Sequence, residues 1–218
     1  MTTDVPMAQW PPSRFDDVGL ANPYAPGNMT IRREALAATR HLSGAVVQCG
    51  VYQGRSLGTL AWLLRESGDK RPVWGCDSFA GLPPGTSPDG ANTPASRFGD
   101  TSQQMVRERL DNLRLSSVTL VAGLFAETLP SLPVGSISVL ILDCDLYASY
   151  RDALTHLYPR VQSGGWMVFD EYFSPRYPGA RIAVDEFLAD KPERPILATH
   201  LLPEHPYERW YAVKGGGQ

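Results

Sequence analysis

Acidic side chains end two apolar runs in the second half of the chain. Residues 139–145 read Val-Leu-Ile-Leu-Asp-Cys-Asp, and residues 166–171 read Trp-Met-Val-Phe-Asp-Glu. Apolar runs of this length are typical of strands buried on both faces of a parallel sheet. Neighbouring strands lie about 4.8 Å apart, and open α/β sheets bind ligands at the carboxyl ends of their strands. The sequence therefore predicts that Asp143, Asp170 and Glu171 converge on one point, with Asp145 nearby.

Clustered carboxylates limit the chemistry of such a site. Three of them repel one another unless a cation or shared protons compensate for their charge. Carboxylate oxygens are ligands of Mg²⁺, Ca²⁺ and Mn²⁺ more than of zinc. The alternative is that these acids are solvated strand ends, or that Asp145 is the N-cap of the following helix. Four acids at two such ends favour a site over this alternative.

A strand-helix-strand unit must position these acids. Residues 146–162 carry apolar side chains at near-helical spacing, and Ser-Gly-Gly at 163–165 is expected to end that helix and restart extended chain. An earlier unit combines a buried strand at 45–50, a glycine turn and a helix beyond residue 58. In it, Gly50 lets backbone approach a ligand and Gly54 lets helix and strand pack closely. The glycines read G-x-x-x-G-x-x-x-G instead of G-x-G-x-x-G, which weighs against a nicotinamide dehydrogenase.

An acid also ends the next predicted strand, at 72–77. In nucleotide-binding α/β folds, an acid placed as Asp77 is here accepts hydrogen bonds from ribose hydroxyls. The alternative role for Asp77 is to cap the turn at 78–81. The glycine turn and this acid together favour an adenosine-containing ligand.

The remaining elements complete a mixed sheet. The pattern predicts helices, short strands and a C-terminal antiparallel hairpin. The helices are expected at 29–41 (with Thr30 as N-cap), 102–113 and 179–190, a helical turn at 125–130, and strands at 118–123, 195–202 and 209–214. The predicted fold is α/β, a mostly parallel sheet with helices on both faces. Residues 29–218 are predicted to form one domain, preceded by a proline-rich arm at 1–28 that is expected to be flexible or lid-forming. The loop at 82–101 has the length and composition of a substrate loop.

Composition excludes several broad classes. The 218 residues are 43% hydrophobic and 20% charged, with a net charge of −3, which argues against a general nucleic-acid or membrane-surface binder. The sequence shows no apolar run long enough for a bilayer and no signal peptide, so the expected location is the cytoplasm. Cys49, Cys76 and Cys144 are predicted to be buried thiols rather than a disulfide or metal cluster.

Seven stretches resemble the macrocin/TylF-type O-methyltransferases, a family of class I S-adenosylmethionine-dependent methyltransferases with a Rossmann-like sheet. They occur in the expected order over roughly residues 29–188. They are Met29-Thr30, VVQCGVYQGRS at 46–56, CDSFAGLP at 76–83, GLFAETLP at 123–130, LDCDLYASYRDAL at 142–154, GGWMVFDEY at 164–172 and GARIAVDEFL at 179–188.

The resemblance implies transfer of a methyl group from S-adenosylmethionine to a hydroxyl of a small natural product, such as a sugar moiety or a phenol. It implies that Asp143, Asp170 and Glu171 bind a metal, Mg²⁺ or Mn²⁺, and that Asp145 is the general base. The residues implied in cofactor binding lie in the glycine turn and around it. They are Met29, Thr30, Gln48, Gly50, Val51, Tyr52, Gly54, Ser56, Asp77, Ser78, Phe79, Gly123, Phe125 and Asp143.

The sequence departs from the family pattern at two of these positions. Gln48 stands where the family usually has Glu, and Glu171 stands where it usually has Asp. The loop at 84–101 also lacks the histidine that some relatives place in the lid region. Two alternatives stay open: a metal-independent small-molecule methyltransferase and a non-catalytic cofactor-binding module. The sequence leaves the acceptor and the oligomeric state, a homo-oligomer included, undetermined.

Overall fold

A seven-stranded sheet forms the centre of the protein. The structure, a computed structural model, describes residues 26–90, 95–201 and 208–216. The strands are β1 (Ala45–Cys49), β2 (Val73–Asp77), β3 (Thr119–Ala122), β4 (Ile137–Leu142), β5 (Val161–Phe169), β6 (Ile196–Leu197) and β7 (Trp210–Val213). Their order is β3-β2-β1-β4-β5-β7-β6; the first five are parallel, and β7 is antiparallel to both of its neighbours. The predicted fold class is confirmed.

Helices cover both faces of the sheet. They are α1 (Pro26–Ala38), α2 (Arg55–Glu66), α3 (Gln103–Asn112), α4 (Phe125–Thr128), α5 (Tyr147–Leu157) and α6 (Pro178–Leu188), with 3₁₀ turns at Ser87–Asp89, Tyr158–Arg160 and Thr199–Leu201. The first three helices share one apolar core with Val139 and Ile141 of β4, and α5 and α6 share the other with Leu140 and Leu142. All six residues of β4 are buried because alternate side chains enter opposite cores. The three cysteines are free and buried, as predicted.

Two predicted helix boundaries were wrong. Helix α1 begins at Pro26, so Thr30 lies inside the helix and is not its N-cap. Helix α5 ends at Leu157 instead of continuing to 162, and strand β5 already begins at Val161. Ser-Gly-Gly at 163–165 therefore lies inside the strand and does not end the helix, contrary to the prediction. Pro159 accounts for the second difference, because its ring and missing N–H do not allow an α-helix to continue through it.

The C-terminal antiparallel pair is shorter than predicted. Ile196 pairs with Tyr211 and Leu197 with Trp210, after which the chain turns into a 3₁₀ helix at 199–201. The connection at 202–207 lies outside the described residues. So does most of the predicted arm, since only 26–28 of residues 1–28 are described and they begin α1. Among the described helices, none has both the length and the apolar character needed to cross a bilayer.

Candidate active site

A cavity of about 800 Å³ opens where the carboxyl ends of the central strands meet. Most of the residues implied in cofactor binding line it. These are Met29, Thr30, Gly50, Val51, Tyr52, Ser56, Asp77, Ser78, Gly123, Phe125 and Asp143. Gln48, Gly54 and Phe79 are not among the lining residues: Gln48 and Phe79 are buried, and Gly54 packs against Val106 of α3.

The glycine turn brings the ends of β1 and β4 into close contact. Gly50 has φ +90°, and a Cβ added there would lie 1.7 Å from the carbonyl oxygen of Asp143. Gly54 has φ +86°, and its Cβ would lie 2.8 Å from Val106 Cγ1. Gly54 therefore permits close packing against helix α3, not the helix–strand packing that was predicted. Gly50 is needed for the close approach of the ends of β1 and β4.

Asp77 holds the glycine turn against the end of β2. Its Oδ2 accepts hydrogen bonds from the backbone N–H groups of Val51 (2.6 Å) and Tyr52 (2.8 Å), and its Oδ1 accepts one from Phe79 (2.7 Å). The carboxylate thus caps its own turn, which was the alternative role, and also fixes the turn that borders the cavity. Contact with ribose hydroxyls stays a prediction.

Replacing Asp77 with alanine is expected to lower both stability and cofactor affinity. Three backbone N–H groups would lose a charged acceptor, and a change of about 1–3 kcal/mol in the free energy of unfolding is expected for such a loss. Urea denaturation and calorimetry with S-adenosylhomocysteine measure the two effects. Asp111→Ala, on the exposed face of α3, is the matched control. An Asp77→Ala protein with unchanged stability would show that the turn does not depend on this carboxylate.

The contacts of Gln48 account for one departure from the family pattern, the glutamine at a position where the family usually has Glu. Its buried Nε2 donates hydrogen bonds to the carbonyl oxygen of Gly50 and to Ser56 Oγ, both at 2.7 Å. A glutamate has no N–H to donate to a carbonyl, so the amide makes a contact that the usual residue cannot make. Gln48 Oε1 is buried and has no hydrogen-bond partner among the described residues.

The acids at the ends of β4 and β5 converge as predicted. One carboxylate oxygen from each of Asp143, Asp170 and Glu171 lies within 4.8 Å of the others. The parallel ladder places them, since the N–H of Asp143 donates to Cys49 O and the N–H of Asp170 donates to Leu142 O.

Glu171 is the most enclosed of these acids. Its Oε2 accepts a hydrogen bond of 2.8 Å from the buried hydroxyl of Tyr150. Burial, followed by the negative charges of Asp170 and Asp143, raises the pKa of Glu171 well above its ordinary value. Crowded acids of this kind need a compensating positive charge or a shared proton.

Arg32 of α1 provides that charge. Its Nη2 donates to Asp143 Oδ2 at 2.7 Å and to Asp170 Oδ1 at 3.1 Å, and the side chain is only 1% exposed. Burial lowers the pKa of Arg32, but the two carboxylates more than reverse this, so the pKa is raised overall. Sequence reasoning missed Arg32, because nothing in residues 29–38 indicates which side chain faces the ends of β4 and β5.

The ion pairs with Arg32 decide how the acids fit a divalent cation. Mg²⁺ requires oxygen ligands at 2.0–2.1 Å in near-octahedral geometry. Oxygens of two of the three candidate ligands, Asp143 and Asp170, already bond to one guanidinium nitrogen, which lies 2.7 Å from Asp143 Oδ2. A metal bound between these oxygens would overlap that nitrogen. With Arg32 in this position, Asp143 Oδ2 and Asp170 Oδ1 do not fit as a pair of ligands for the metal that the resemblance implies.

Asp145 lies at the bend between β4 and α5. It has φ +60°, and its side chain lines the cavity. Leu146 is the N-cap residue of α5, and Asp89 Oδ1 accepts the hydrogen bond from the N–H of Tyr147 at 2.7 Å. Asp145 therefore does not cap the helix, and that alternative was wrong.

The surroundings of Asp145 suit a proton acceptor. Burial, then the charges of Asp143 and Asp170, raises the pKa of Asp145 well above its ordinary value. Burial and the charge of Asp145 raise the pKa of the nearby Tyr177 hydroxyl to about 12. A carboxylate with a raised pKa binds a proton from a hydroxyl group more readily than an exposed one does.

The predicted substrate loop borders the same cavity. Leu82, Pro83, Pro84 and Phe98 line it. The two arms of the loop are joined by backbone hydrogen bonds between Leu82 and Arg97 (2.8 Å) and between Ser96 and Leu82 (3.0 Å). The tip at 91–94 lies outside the described residues, so a lid stays a prediction.

The strand order, the glycine turn and the cavity beside it define a class I methyltransferase fold. The chain matches the model of the macrocin O-methyltransferase (TylF) family over residues 30–197, and it belongs to that family.

Named relatives support this grouping. The chain is 34% identical over 159 residues to demethyldecarbamoylnovobiocin O-methyltransferase of Streptomyces niveus, a match that covers 68% of this chain and 60% of the relative. It is 35% identical over 138 residues to 8-demethyl-8-(2,3-dimethoxy-alpha-L-rhamnosyl)-tetracenomycin-C 4'-O-methyltransferase of Streptomyces olivaceus, covering 59% of this chain and 53% of the relative. The matches thus span about 60% or less of the length of these two relatives.

Solved structures agree with the fold. The O-methyltransferase NovP superimposes with a TM-score of 0.71 at 28% identity, covering 86% of this chain and 79% of that chain. The calicheamicin methyltransferase CalS11 superimposes with a TM-score of 0.73 at 23% identity, covering 99% and 88%, which shows the shared fold.

Proposed function

We propose that the protein transfers a methyl group from S-adenosylmethionine to a hydroxyl group of a small natural product, a sugar moiety or a phenol. Membership of the macrocin O-methyltransferase family and the names of the relatives support this proposal. The observation that carries it is the position of Asp145, a half-buried acid that lines the same cavity as the glycine turn.

The cavity has two chemically different parts. The turn at 50–56 and Asp77 form the part expected to hold the cofactor, and Met29 and Gly123 also line the cavity. Asp145 and the loop residues near Phe98 are expected to border the acceptor. Holding the hydroxyl oxygen and the donor methyl group in line supplies much of the rate acceleration in such reactions.

The proposed reaction is a single displacement. A neutral hydroxyl is a poor nucleophile, so Asp145 accepts its proton as the oxygen attacks. The new oxygen–carbon bond forms while the bond between sulfur and the methyl carbon breaks. S-Adenosylhomocysteine leaves as the neutral thioether, and the proton on Asp145 passes to solvent.

Incubation with radiolabelled S-adenosylmethionine and a panel of sugar and phenol acceptors tests the proposal. Transfer of label to an acceptor hydroxyl is expected, and the linkage can be established by mass spectrometry of the product. Binding of S-adenosylhomocysteine without transfer to any acceptor would instead favour the non-catalytic binding module.

A chelator is expected to leave turnover unchanged. The resemblance predicts that EDTA abolishes activity, but Arg32 lies between Asp143 and Asp170 and supplies a positive charge there without a metal. Initial rates with EDTA, before and after Mg²⁺ or Mn²⁺ is added back, measure this. Activity that is lost in EDTA and restored by Mg²⁺ would establish the metal dependence predicted from the sequence.

A further inference from the structure

We infer that Arg32 is a built-in cation that takes the place of a divalent metal between Asp143 and Asp170. The assignment of this cluster to an active site rests on the proposed function. The ion pairs are observed in the structure and do not depend on it. Arg32 is thus a positioning residue, because its ion pairs hold the carboxylates of Asp143 and Asp170 in place at the candidate active site.

The contacts of Arg32 reproduce those of a bridging ion. A single nitrogen, Nη2, donates to one oxygen of Asp143 and to one oxygen of Asp170, at 2.7 and 3.1 Å. The first is a typical length for a charge-assisted hydrogen bond. The two carboxylates come from adjacent strands, so the guanidinium joins β4 to β5 at the site.

Burial and two ion pairs hold Arg32 beside the acids. Its side chain is 1% exposed, and it is among the largest fully buried side chains of the protein. Ile31 and Ala35, which flank it on α1, are buried in the core beneath the sheet. Arg32 also lines the cavity, and its ion pairs with Asp143 and Asp170 hold the guanidinium at the strand ends. A guanidinium also remains charged at every pH of interest, so proton loss cannot release it.

Asp143 connects the ion pair with Arg32 to the glycine turn. Its backbone carbonyl contacts Gly50 at the glycine turn, while its side chain bonds to Arg32. Thr30 and Met29, which precede Arg32 on α1, line the same cavity. Arg32 thus connects helix α1, the strand that carries the acids and the turn expected to hold the cofactor.

Titration of the apo protein with Mn²⁺, followed by electron paramagnetic resonance, tests the inference without any acceptor. The wild-type protein is expected to bind no Mn²⁺ at this cluster. Arg32→Met removes the charge but keeps a long apolar stem, and it should bind one equivalent at least ~10-fold more tightly than the wild type, because the freed carboxylates then need a cation. Arg40→Met, an exposed position just after α1, is the control and should behave as the wild type does.

Two results would overturn the inference. One is a wild-type protein that binds one equivalent of Mn²⁺ and loses it in Asp170→Asn. The other is a folded Arg32→Met protein that binds Mn²⁺ no better than the wild type. If the methionine variant does not fold, Arg32→Gln replaces it: the amide can still donate a hydrogen bond but carries no charge, so Mn²⁺ binding above the wild-type level supports the inference, and binding at that level overturns it.

Calorimetry with S-adenosylhomocysteine on the same samples separates this inference from the proposed function. Wild-type protein that binds both S-adenosylhomocysteine and Mn²⁺ would retain the proposed function and refute the role of Arg32. Protein that binds neither would refute the proposed function, while the Mn²⁺ titrations would still decide whether Arg32 excludes a metal.

Discussion

Replacing Asp145 with asparagine is expected to lower the turnover rate by about 10²–10⁴-fold, the range for loss of a general base. The amide keeps the size of the side chain but cannot accept the proton of the acceptor hydroxyl. Binding of S-adenosylhomocysteine should stay close to that of the wild type, because Asp145 makes none of the contacts that fix the glycine turn. Single-turnover rates and calorimetry measure the two properties, with the exposed Asp111→Asn as control.

The pH dependence of this loss distinguishes a base from a structural residue. Burial and two neighbouring acids raise the pKa of Asp145, so the reactive carboxylate is present above that pKa and is lost below it. On the acid side of the pH–rate profile, the wild-type rate should therefore fall at a pH above the ordinary aspartate pKa of about 3.9. With a phenol, which ionises without help, the deficit of Asp145→Asn should shrink at high pH, and with a sugar hydroxyl it should persist. Near-normal turnover of the variant with the true acceptor would refute the assignment.

Replacing Gly50 with alanine is expected to be the most destabilising single change at the site. The added Cβ would lie 1.7 Å from the carbonyl oxygen of Asp143 and 2.6 Å from its carbonyl carbon, so the ends of β1 and β4 would have to separate. A loss of about 2–5 kcal/mol in the free energy of unfolding is expected from the clash and the positive φ together. Affinity for S-adenosylhomocysteine should also fall, because the turn would move away from the cavity.

Gly68→Ala is a matched control for this prediction. Gly68 has φ +71°, but a Cβ added there meets nothing within 4 Å. The Gly68→Ala protein should therefore be destabilised only by the strain of a positive φ, by about 1 kcal/mol in the free energy of unfolding. Urea denaturation of both variants separates strain from steric overlap, and equal stability of the two would contradict the close approach of β1 and β4.

The central strands could be predicted from sequence because their environment is uniform. Every residue of β4 is buried, so an apolar run followed by acid was sufficient to place both the strand and the acids at its end. The end of α5 was less predictable. Apolar side chains keep their helical spacing past Leu157, so periodicity predicts a longer helix. Pro159 ends the helix because it lacks a backbone N–H, and hydrophobic periodicity carries no information about that effect.

The contacts between site residues and distant parts of the chain could not be predicted from the sequence, for a different reason. Arg32 is 111 residues from Asp143, and Asp89 is 58 residues from the N–H of Tyr147 that it caps. Both contacts depend on how helices and loops pack onto the sheet. The sequence alone therefore predicted which acids converge, but it could not show that an arginine already lies between them.

Calorimetric titration with S-adenosylhomocysteine tests the central claim most directly, because it requires no knowledge of the acceptor. The proposed function predicts that the wild-type protein binds one equivalent in the cavity, that Gly50→Ala weakens this binding, and that NAD does not bind. Tighter binding of NAD than of S-adenosylhomocysteine, or no binding of S-adenosylhomocysteine at all, would contradict it.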